Sequence, residues 1–163
     1  MNKVFYAGCF DPFTNGHIDV IKQALERFDF VIIGLGVNAS KTRHFDRHQM
    51  ITAIEKTLQN ENLHDRVSCL SYNDYTGETA LANNCACLIR GIKNMGEFDY
   101  ELWLANYNRG HYGINTLFFL PSRPDLEIVS STYARELFDA GDLATLKTVV
   151  PAPVFALLHP QRP

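Results

Sequence analysis

Residues 4–25 read VFYAGCFDPFTNGHIDVIKQAL, and this stretch decides the fold. It opens with a short apolar run, Val4–Tyr6, which predicts a β-strand. It ends with Ile18, Ile21 and Leu25, whose helical spacing predicts an amphipathic helix. The segment between them contains Gly, Pro and Asn, which are typical of turns. The stretch therefore predicts a strand, a turn and a helix in succession.

The turn has the composition of an anion-binding site. Backbone N–H groups and the positive end of the helix dipole meet at a helix N-terminus, and Gly8 lets the backbone approach a ligand closely because it has no Cβ. His17 falls in the first helical turn, where its ring can donate to a phosphate oxygen on which charge develops during reaction. The alternative is a capping turn with an incidental histidine. The combination of Gly8, Asp11-Pro12, Asn15-Gly16 and His17 favours the functional interpretation.

Length and composition predict a single domain over residues 1–163. The hydrophobic fraction is 46% and the charged fraction 20%, which are ordinary values for a globular protein. The net charge of −3 gives no footprint for non-specific nucleic-acid binding. We find no signal-peptide pattern before the first strand and no apolar run of membrane-spanning length. We therefore expect a cytoplasmic protein without nucleic-acid or membrane partners.

The four cysteines, Cys9, Cys69, Cys85 and Cys87, lie in or beside apolar runs. The sequence Cys85-Ala86-Cys87 is compatible with half of a metal site, but no second Cys or His pair has zinc spacing. Buried free thiols in a cytoplasmic protein are the favoured interpretation. We therefore expect no metal held by protein side chains.

The rest of the chain alternates apolar runs with helical patterns. The further strands are predicted at Phe30–Val37, Val67–Tyr72, Cys87–Ile89 and Thr116–Leu120. The further helices are predicted at 46–58, 79–84 with a cap near 76–78, 97–109, 133–140 and 142–148, with a last helical turn through Leu158. This alternation predicts an α/β fold, a doubly wound Rossmann-like sheet of five parallel strands.

Phosphate-binding side chains follow four of the five strands. They are Cys9 and His17 after strand one, Lys41 and Arg43 after strand two, Arg90 and Lys93 after strand four, and Ser130, Ser131 and Thr132 after strand five. The carboxyl ends of parallel strands meet at one edge of a sheet, so we expect a single crevice. It contains no obvious nucleophile, which favours phosphoryl or nucleotidyl transfer by positioning and charge stabilisation.

Several of these groups have an equally ordinary interpretation. The spacing of Lys41 and Arg43 is equally compatible with a solvated loop. One N-cap and two ordinary polar residues would account for the three hydroxyls. For Arg90 and Lys93, phosphate binding is favoured over a surface cluster, because Arg offers a planar fork of donors.

The predicted helix 97–109 is unusually aromatic, with Tyr100, Trp103 and Tyr107. Such a stripe more often forms core or a subunit interface than a ligand site. Glu101 is compatible with an acceptor for ribose hydroxyls or with a solvated helix charge. The expected apolar surface of the helix comprises Phe98, Leu102, Leu104, Ala105 and Tyr107.

Three segments resemble a known family. Residues 8–17, GCFDPFTNGH, are similar to the (T/H)xGH signature of the nucleotidyltransferase superfamily. Residues 88–109, LIRGIKNMGEFDYELWLANYNR, and residues 129–137, VSSTYAREL, resemble the strand-four and ISSS segments of bacterial phosphopantetheine adenylyltransferases. The RGIK and EFDYE letters discriminate best, because the first motif is shared with nicotinate and nicotinamide mononucleotide (NMN) adenylyltransferases.

The resemblance implies adenylyl transfer from ATP to 4′-phosphopantetheine, which gives dephospho-coenzyme A and pyrophosphate, with Mg²⁺ held mainly by the ATP phosphates. It implies His17, Lys41 and Arg90 as catalytic residues, with in-line attack and His17 at the α-phosphate. The implied phosphopantetheine ligands are Cys9, Lys41, Thr76 and Arg90. The implied ATP ligands are Cys9, Phe10, His17, Gly91, Ile92, Lys93, Glu101, Leu126, Glu127, Ile128, Val129, Ser130, Ser131 and Thr132.

The resemblance also implies a homohexamer and leaves open feedback by coenzyme A. The chain departs from the family at Cys9, where Thr or Ser is usual, and a thiol is a weaker donor than a hydroxyl. Two alternatives remain at this point. One is another nucleotidylyltransferase, such as an NMN adenylyltransferase, and the other is a nucleotide-binding relative with weakened catalysis.

Overall fold

The computed structural model describes residues 1–37, 42–93 and 95–159. Its core is a sheet of five parallel strands in the spatial order β3-β2-β1-β4-β5. The strands are β1 (Lys3–Gly8), β2 (Phe30–Gly36), β3 (Val67–Tyr72), β4 (Cys85–Gly91) and β5 (Thr116–Phe119). The doubly wound five-stranded fold predicted from the sequence is confirmed.

Seven α-helices are described, together with one 3₁₀ turn, Pro124–Leu126. The helices are α1 (Asn15–Leu25), α2 (Arg47–Asn60), α3 (Thr76–Ala82), α4 (Met95–Tyr112), α5 (Ser131–Ala140), α6 (Leu143–Val149) and α7 (Ala152–Leu158). All of these helices lack the length and apolar character that a membrane crossing needs. Asp46 caps α2 by accepting from the Gln49 N–H, and Gly141 ends α5 with a left-handed φ of 81°, both close to the predicted boundaries.

The third helix begins earlier than the sequence pattern predicts. Its first turn closes when the Thr79 N–H donates to the Tyr75 carbonyl at 2.9 Å, so Thr76 is already helical. Gly77 lies in this turn against the ring of Tyr112, where any Cβ would overlap the ring. The segment predicted as a cap is therefore helix, because α3 packs closely against α4 there.

Successive residues of β1 supply the core on the two faces of the sheet. Val4 and Tyr6 belong to the larger apolar cluster, which is covered by α1, α2 and the C-terminal helices. Phe5 and Ala7 belong to a smaller cluster on the other face, beneath α3. The strand is thus buried on both faces, as is usual for a parallel sheet that helices cover on both sides.

Helix α4 does not bury the apolar surface that its sequence predicts. Glu101 and Asn108 are its only buried residues among those described, whereas Tyr100 and Trp103 are 57% and 59% exposed. Leu102, which belongs to the predicted apolar surface of the helix, is exposed. The helix packs on α3 and on the edge strand β5, and its aromatic rings stack on one another.

Gly34 on β2 provides a test of how tightly the smaller cluster is packed. A Cβ at this position would overlap the ring of Phe5, which is fully buried. We expect Gly34→Ala to lower the free energy of unfolding by about 1–3 kcal/mol, because the ring must move in a close-packed core. Urea denaturation at equilibrium measures the change.

Gly110→Ala on the exposed side of α4 is the matched control, since no atom lies within 4 Å of the added Cβ. This variant should be unchanged or stabilised by about 0.5–1 kcal/mol, because alanine favours helix. Equal stability of the two variants would contradict tight packing at Gly34.

Candidate active site

The turn between β1 and α1 is held by donors from distant parts of the chain. Arg43 donates to the carbonyl of Cys9 at 2.6 Å and to that of Phe10 at 3.4 Å. Arg135 donates to the carbonyl of Asp11 at 2.6 Å. The conformation of the turn is therefore fixed although Phe10 has a φ of 49°, which non-glycine residues rarely adopt.

Asp11 ties the same turn to the loop before α2. Its carboxylate accepts the backbone N–H groups of His44 at 2.9 Å and Phe45 at 3.0 Å, and it lies 3.6 Å from the Arg43 guanidinium. Asp11 is buried, so these partners satisfy a charge that water scarcely reaches. The interpretation of Arg43 as part of a solvated loop is wrong, since this side chain is 17% exposed and braces the turn, whereas its contact with phosphate stays a prediction.

His17 is fixed in one orientation by its own helix start. The backbone N–H of Thr14, the N-cap residue of α1, donates to Nδ1 of His17 at 2.9 Å. Three aromatic rings enclose the imidazole, with centroid distances of 4.9 Å to Phe10, 5.3 Å to Phe13 and 6.1 Å to Tyr6. Because Nδ1 accepts, the proton of the neutral ring belongs on Nε2.

The electrostatic environment keeps this ring neutral. Burial lowers the pKa of His17 well below its usual value, and the positive charges of Lys93 and Arg90 lower it further. A neutral imidazole with hydrogen on Nε2 is a hydrogen-bond donor with no proton to give up as an acid near neutral pH. The local geometry thus makes His17 a donor for an oxygen in the crevice.

The side chain of Arg90, at the end of β4, forms hydrogen bonds with two different residues. Its Nε and Nη2 atoms donate to the two carboxylate oxygens of Glu101, with a distance of 2.7 Å for the Nε contact, and its Nη1 donates to the Ala7 carbonyl. Burial opposes the positive charge, but the hydrogen bond and charge of Glu101 outweigh it and raise the pKa of Arg90. Glu101 is 7% exposed, so the interpretation as a solvated helix charge is wrong.

Lys93 lies on the opposite wall of the crevice. Its ammonium donates to the carbonyl of Val129, and its chain runs beside Gly16 at the start of α1. Burial lowers the pKa of Lys93, and the charge of Glu97 partly restores it. Gly16 is required here, because a Cβ would stand 3.0 Å from the Val129 carbonyl.

The three hydroxyls at the start of α5 have separate partners. Ser130 caps the helix by accepting from the Tyr133 N–H at 3.0 Å, and Ser131 donates to the Pro12 carbonyl at 2.8 Å. Thr132 accepts from Arg135 at 3.1 Å. The interpretation of these hydroxyls as one N-cap and two ordinary polar residues is therefore incomplete, because Ser131 also joins α5 to the turn after β1.

These groups line one crevice of about 270 Å³ at the carboxyl edge of the sheet. Ten of the predicted site residues line it: Cys9, Phe10, His17, Arg90, Gly91, Lys93, Glu101, Ser130, Ser131 and Thr132. A larger cleft of about 750 Å³ adjoins it and includes the predicted residue Thr76, with Tyr72, Tyr75 and Tyr100. The two share Ala7, Gly8, Cys9 and Arg90, so they meet where β1 and β4 end.

The remaining predicted residues lie elsewhere. Ile92 and Leu126 line a small apolar slot next to the crevice, together with Phe119 and Pro121. Val129 is buried and contributes its carbonyl. Glu127 and Ile128 are exposed, and Ile128 lines a separate groove along α1. Lys41 lies outside the described residues.

Sequence reasoning missed Arg135 and the structural role of Arg43. One signal was available, since Ser131 and Arg135 are four residues apart and therefore share a helix face. No comparable signal exists for Arg43, whose partners in the turn, Cys9 and Phe10, lie more than thirty residues earlier in the chain. Within the described ranges, no three His, Cys, Asp or Glu side chains come together as a metal-ion cluster.

Comparisons of this chain with known proteins agree on one family. The family model described as cytidylyltransferase-like matches residues 5–137. Phosphopantetheine adenylyltransferase of Phocaeicola vulgatus is 37% identical over 141 residues, which cover 86% of this chain and 91% of that protein. The protein of the same name from Brucella suis is 32% identical over 161 residues, which cover 98% and 97%.

A solved structure with the same fold is the nicotinic acid mononucleotide adenylyltransferase of Plasmodium falciparum in complex with NaAD. It superposes with a TM-score of 0.67 and covers 98% of this chain and 95% of that chain. The sequence identity is 14%, so this likeness concerns the fold alone.

The environment of His17 predicts how stability depends on pH. The unfolded chain binds a proton at His17 near the usual pKa of about 6.5, and the folded protein does so only at lower pH. Below that pH the unfolded state binds more protons, so the free energy of unfolding falls as pH falls, by up to about 1.4 kcal/mol per pH unit. His17→Gln should remove this part of the slope.

Urea unfolding of the unliganded protein between about pH 7.5 and about pH 5.5 measures the slope, in a range where most carboxylates stay ionised. The exposed His64 provides the control, because His64→Gln should keep the wild-type slope. An unchanged slope in His17→Gln would mean that His17 titrates normally in the folded protein.

Proposed function

The chain belongs to the cytidylyltransferase-like family and, within it, to the phosphopantetheine adenylyltransferases, and on this premise we propose how its residues act. The protein is a nucleotidyltransferase of coenzyme A biosynthesis. It transfers the adenylyl group of ATP to 4′-phosphopantetheine and gives dephospho-coenzyme A and pyrophosphate.

One observation carries the assignment of the two substrates. The crevice and the cleft meet at Gly8, Cys9 and Arg90, so one molecule in each would touch at that junction. We place the ATP phosphates in the crevice, among His17, Lys93 and the start of α5. The acceptor phosphate then lies at Arg90, with the pantetheine arm extending along the cleft past Thr76.

This arrangement fits an in-line displacement. An oxygen of the acceptor phosphate forms a bond to the α-phosphorus of ATP, and the bond from that phosphorus to the bridging oxygen breaks as pyrophosphate leaves. No side chain forms a covalent bond to the substrate in this mechanism, so the protein contributes positioning and the stabilisation of charge. Arg90 and Lys41 would orient the attacking phosphate, although Lys41 lies outside the described residues.

His17 would act at the α-phosphate through Nε2. The hydrogen bond strengthens as negative charge builds on the non-bridging oxygens, and the neutral ring is already oriented by Thr14 before ATP arrives. Because the pKa of His17 is low, it acts as a donor rather than as a general acid.

The nucleotide would be bound by backbone and cations together. Lys93 and the hydroxyls at 130–132 line the crevice on the phosphate side. The apolar slot formed by Ile92, Phe119 and Leu126 beside the crevice is only about 10 Å³ in volume, which is too small for the adenine ring. Mg²⁺ would bind to the ATP phosphates and water, as that ion commonly does, because the described side chains bring no ligand cluster together.

Assembly and location are further parts of this proposal. The exposed rings of Tyr100 and Trp103 on α4 give a homohexamer an apolar contact surface. The four cysteines are unpaired in the structure, which fits the reducing cytoplasm. Feedback by coenzyme A would follow if the product of the pathway entered the same cleft.

The alternative of a mononucleotide adenylyltransferase is not favoured. Solved structures of mononucleotide adenylyltransferases share the fold at 14–20% identity, whereas curated phosphopantetheine adenylyltransferases are 32–38% identical over most of the chain. A relative with weakened catalysis finds no support in the site, since His17 and Arg90 line the same crevice.

Pyrophosphate release tests the reaction directly. With ATP and Mg²⁺ present, we expect release with 4′-phosphopantetheine as acceptor and none with NMN or glycerol 3-phosphate. The cleft that adjoins Arg90 suits a long, weakly polar arm rather than a second nucleotide. Release with NMN alone would leave the reaction type as proposed, but it would show that phosphopantetheine is not the acceptor.

A substitution at His17 tests the mechanism. We expect His17→Ala to lower kcat about a hundredfold or more, because a donor that acts mainly in the transition state is lost. The affinity for ATP, measured by calorimetry, should change little. An unchanged kcat would remove His17 from the mechanism.

A further inference from the structure

The hydroxyl of Tyr6, on the central strand β1, is a buried polar group without a hydrogen-bond partner. The residue is 4% exposed, and its ring meets those of Phe10 and His17 edge-on, with centroid distances of 5.2 Å and 6.1 Å. Within residues 1–37, 42–93 and 95–159, no side chain or backbone group forms a hydrogen bond with the hydroxyl. A buried tyrosine hydroxyl usually has such a partner, so a ligand is the natural candidate for this one.

The hydroxyl lies at the end of β4, inside the smaller of the two cavities. A Cβ added at Gly91 would stand 3.8 Å from the Tyr6 hydroxyl, and both residues line the crevice. Tyr6 does not line the acceptor cleft. A molecule that accepts from this hydroxyl is therefore the one that occupies the crevice.

The charges around the hydroxyl indicate what kind of atom it binds. Burial raises the pKa of Tyr6 well above its usual value, so the group stays an uncharged O–H donor. One cation, Arg90, and two carboxylates, Glu101 and Asp19, act on it. Two negative charges against one positive charge disfavour a phosphate oxygen at this point and favour an uncharged oxygen. The ribose hydroxyls are uncharged oxygens of ATP.

Glu101 supplies the complementary group in the same crevice. Both of its carboxylate oxygens accept from Arg90, and each oxygen has a second lone pair for another donor. A ribose hydroxyl that donates to Glu101 can still accept one hydrogen bond, which a carboxylate cannot provide. The Tyr6 hydroxyl is a donor of the required kind.

We propose that Tyr6 is a further ATP-binding residue, whose hydroxyl donates to a ribose hydroxyl of the nucleotide in the crevice. This inference rests on the proposed function, because it takes ATP as the molecule that occupies the crevice. The sequence pattern predicts Tyr6 only as part of an apolar strand, and the family resemblance implies no role for its hydroxyl.

Steady-state kinetics of Tyr6→Phe measures the contribution of the hydroxyl, because this change keeps the buried ring. We expect KM for ATP to rise about fivefold, as for the loss of one uncharged hydrogen bond, with kcat and KM for phosphopantetheine within about twofold of wild type. The melting temperature should not fall, since the hydroxyl has no partner among the described residues. An unchanged KM for ATP or a clearly lower melting temperature would overturn the proposal.

Analogues of ATP test whether the partner is the ribose. Wild type should discriminate against either 2′-deoxy-ATP or 3′-deoxy-ATP, whichever lacks the bound hydroxyl. The ratio of KM for that analogue to KM for ATP should be about fivefold smaller in Tyr6→Phe, because the variant no longer makes the hydrogen bond that the analogue lacks. Equal ratios in the two proteins, for both analogues, would overturn the assignment to the ribose.

Tyr112→Phe is the matched control. It removes the same hydroxyl from a tyrosine of α4 that lines neither the crevice nor the cleft. We expect KM for both substrates to equal the wild-type values. A rise in KM for ATP as large as that in Tyr6→Phe would show that the effect is not specific to the crevice, and it would overturn the proposal.

Direct binding keeps this test separate from the reaction itself. Calorimetry with ATP should show binding to Tyr6→Phe about fivefold weaker than to wild type. Wild type that binds ATP without releasing pyrophosphate in the presence of phosphopantetheine would overturn the proposed function alone. Wild type that does not bind ATP would overturn both. Equal binding by wild type and variant would show that the hydroxyl contacts only solvent in the crevice, and it would overturn the role of Tyr6.

Discussion

Two guanidinium groups donate to the backbone of the turn after β1, which carries Cys9 and Phe10 into the crevice and leads into the start of α1. Arg43 and Arg135 bind the carbonyls of Cys9, Phe10 and Asp11 from two different elements. These contacts tie the turn to the loop before α2 and to α5. His17 follows directly, because the capping box that orients it begins where this turn ends.

The crevice gathers cations whose charges are already balanced before any ligand binds. Arg90 is paired with Glu101, and Lys93 donates to a backbone carbonyl. Fixed groups of this kind need little reorganisation when negative charge develops between them. The neutral His17 completes the set, since the same positive neighbours that attract phosphate also keep its pKa low.

Local patterns predicted the fold and the members of the crevice, but not their partners. The strand, turn and helix at residues 4–25 are visible in the spacing of apolar residues, and His17, Arg90 and Lys93 follow from their places after strands. The Arg90–Glu101 pair joins the end of β4 to the middle of α4, so its geometry depends on how that helix lies on the sheet. Local spacing also could not decide between core and subunit interface for the aromatic stripe of α4, and the structure shows that Tyr100 and Trp103 are not in the core of this chain.

The exposed rings of α4 have one more consequence. Trp103 is the single tryptophan of the chain, so it dominates the intrinsic fluorescence of the whole protein. Its ring stacks between Tyr100, which lines the cleft, and Tyr107 further along the helix. The emission maximum therefore reports the polarity around one face of one helix, and a subunit or ligand that excludes water from that face will shift the emission to shorter wavelength without any label.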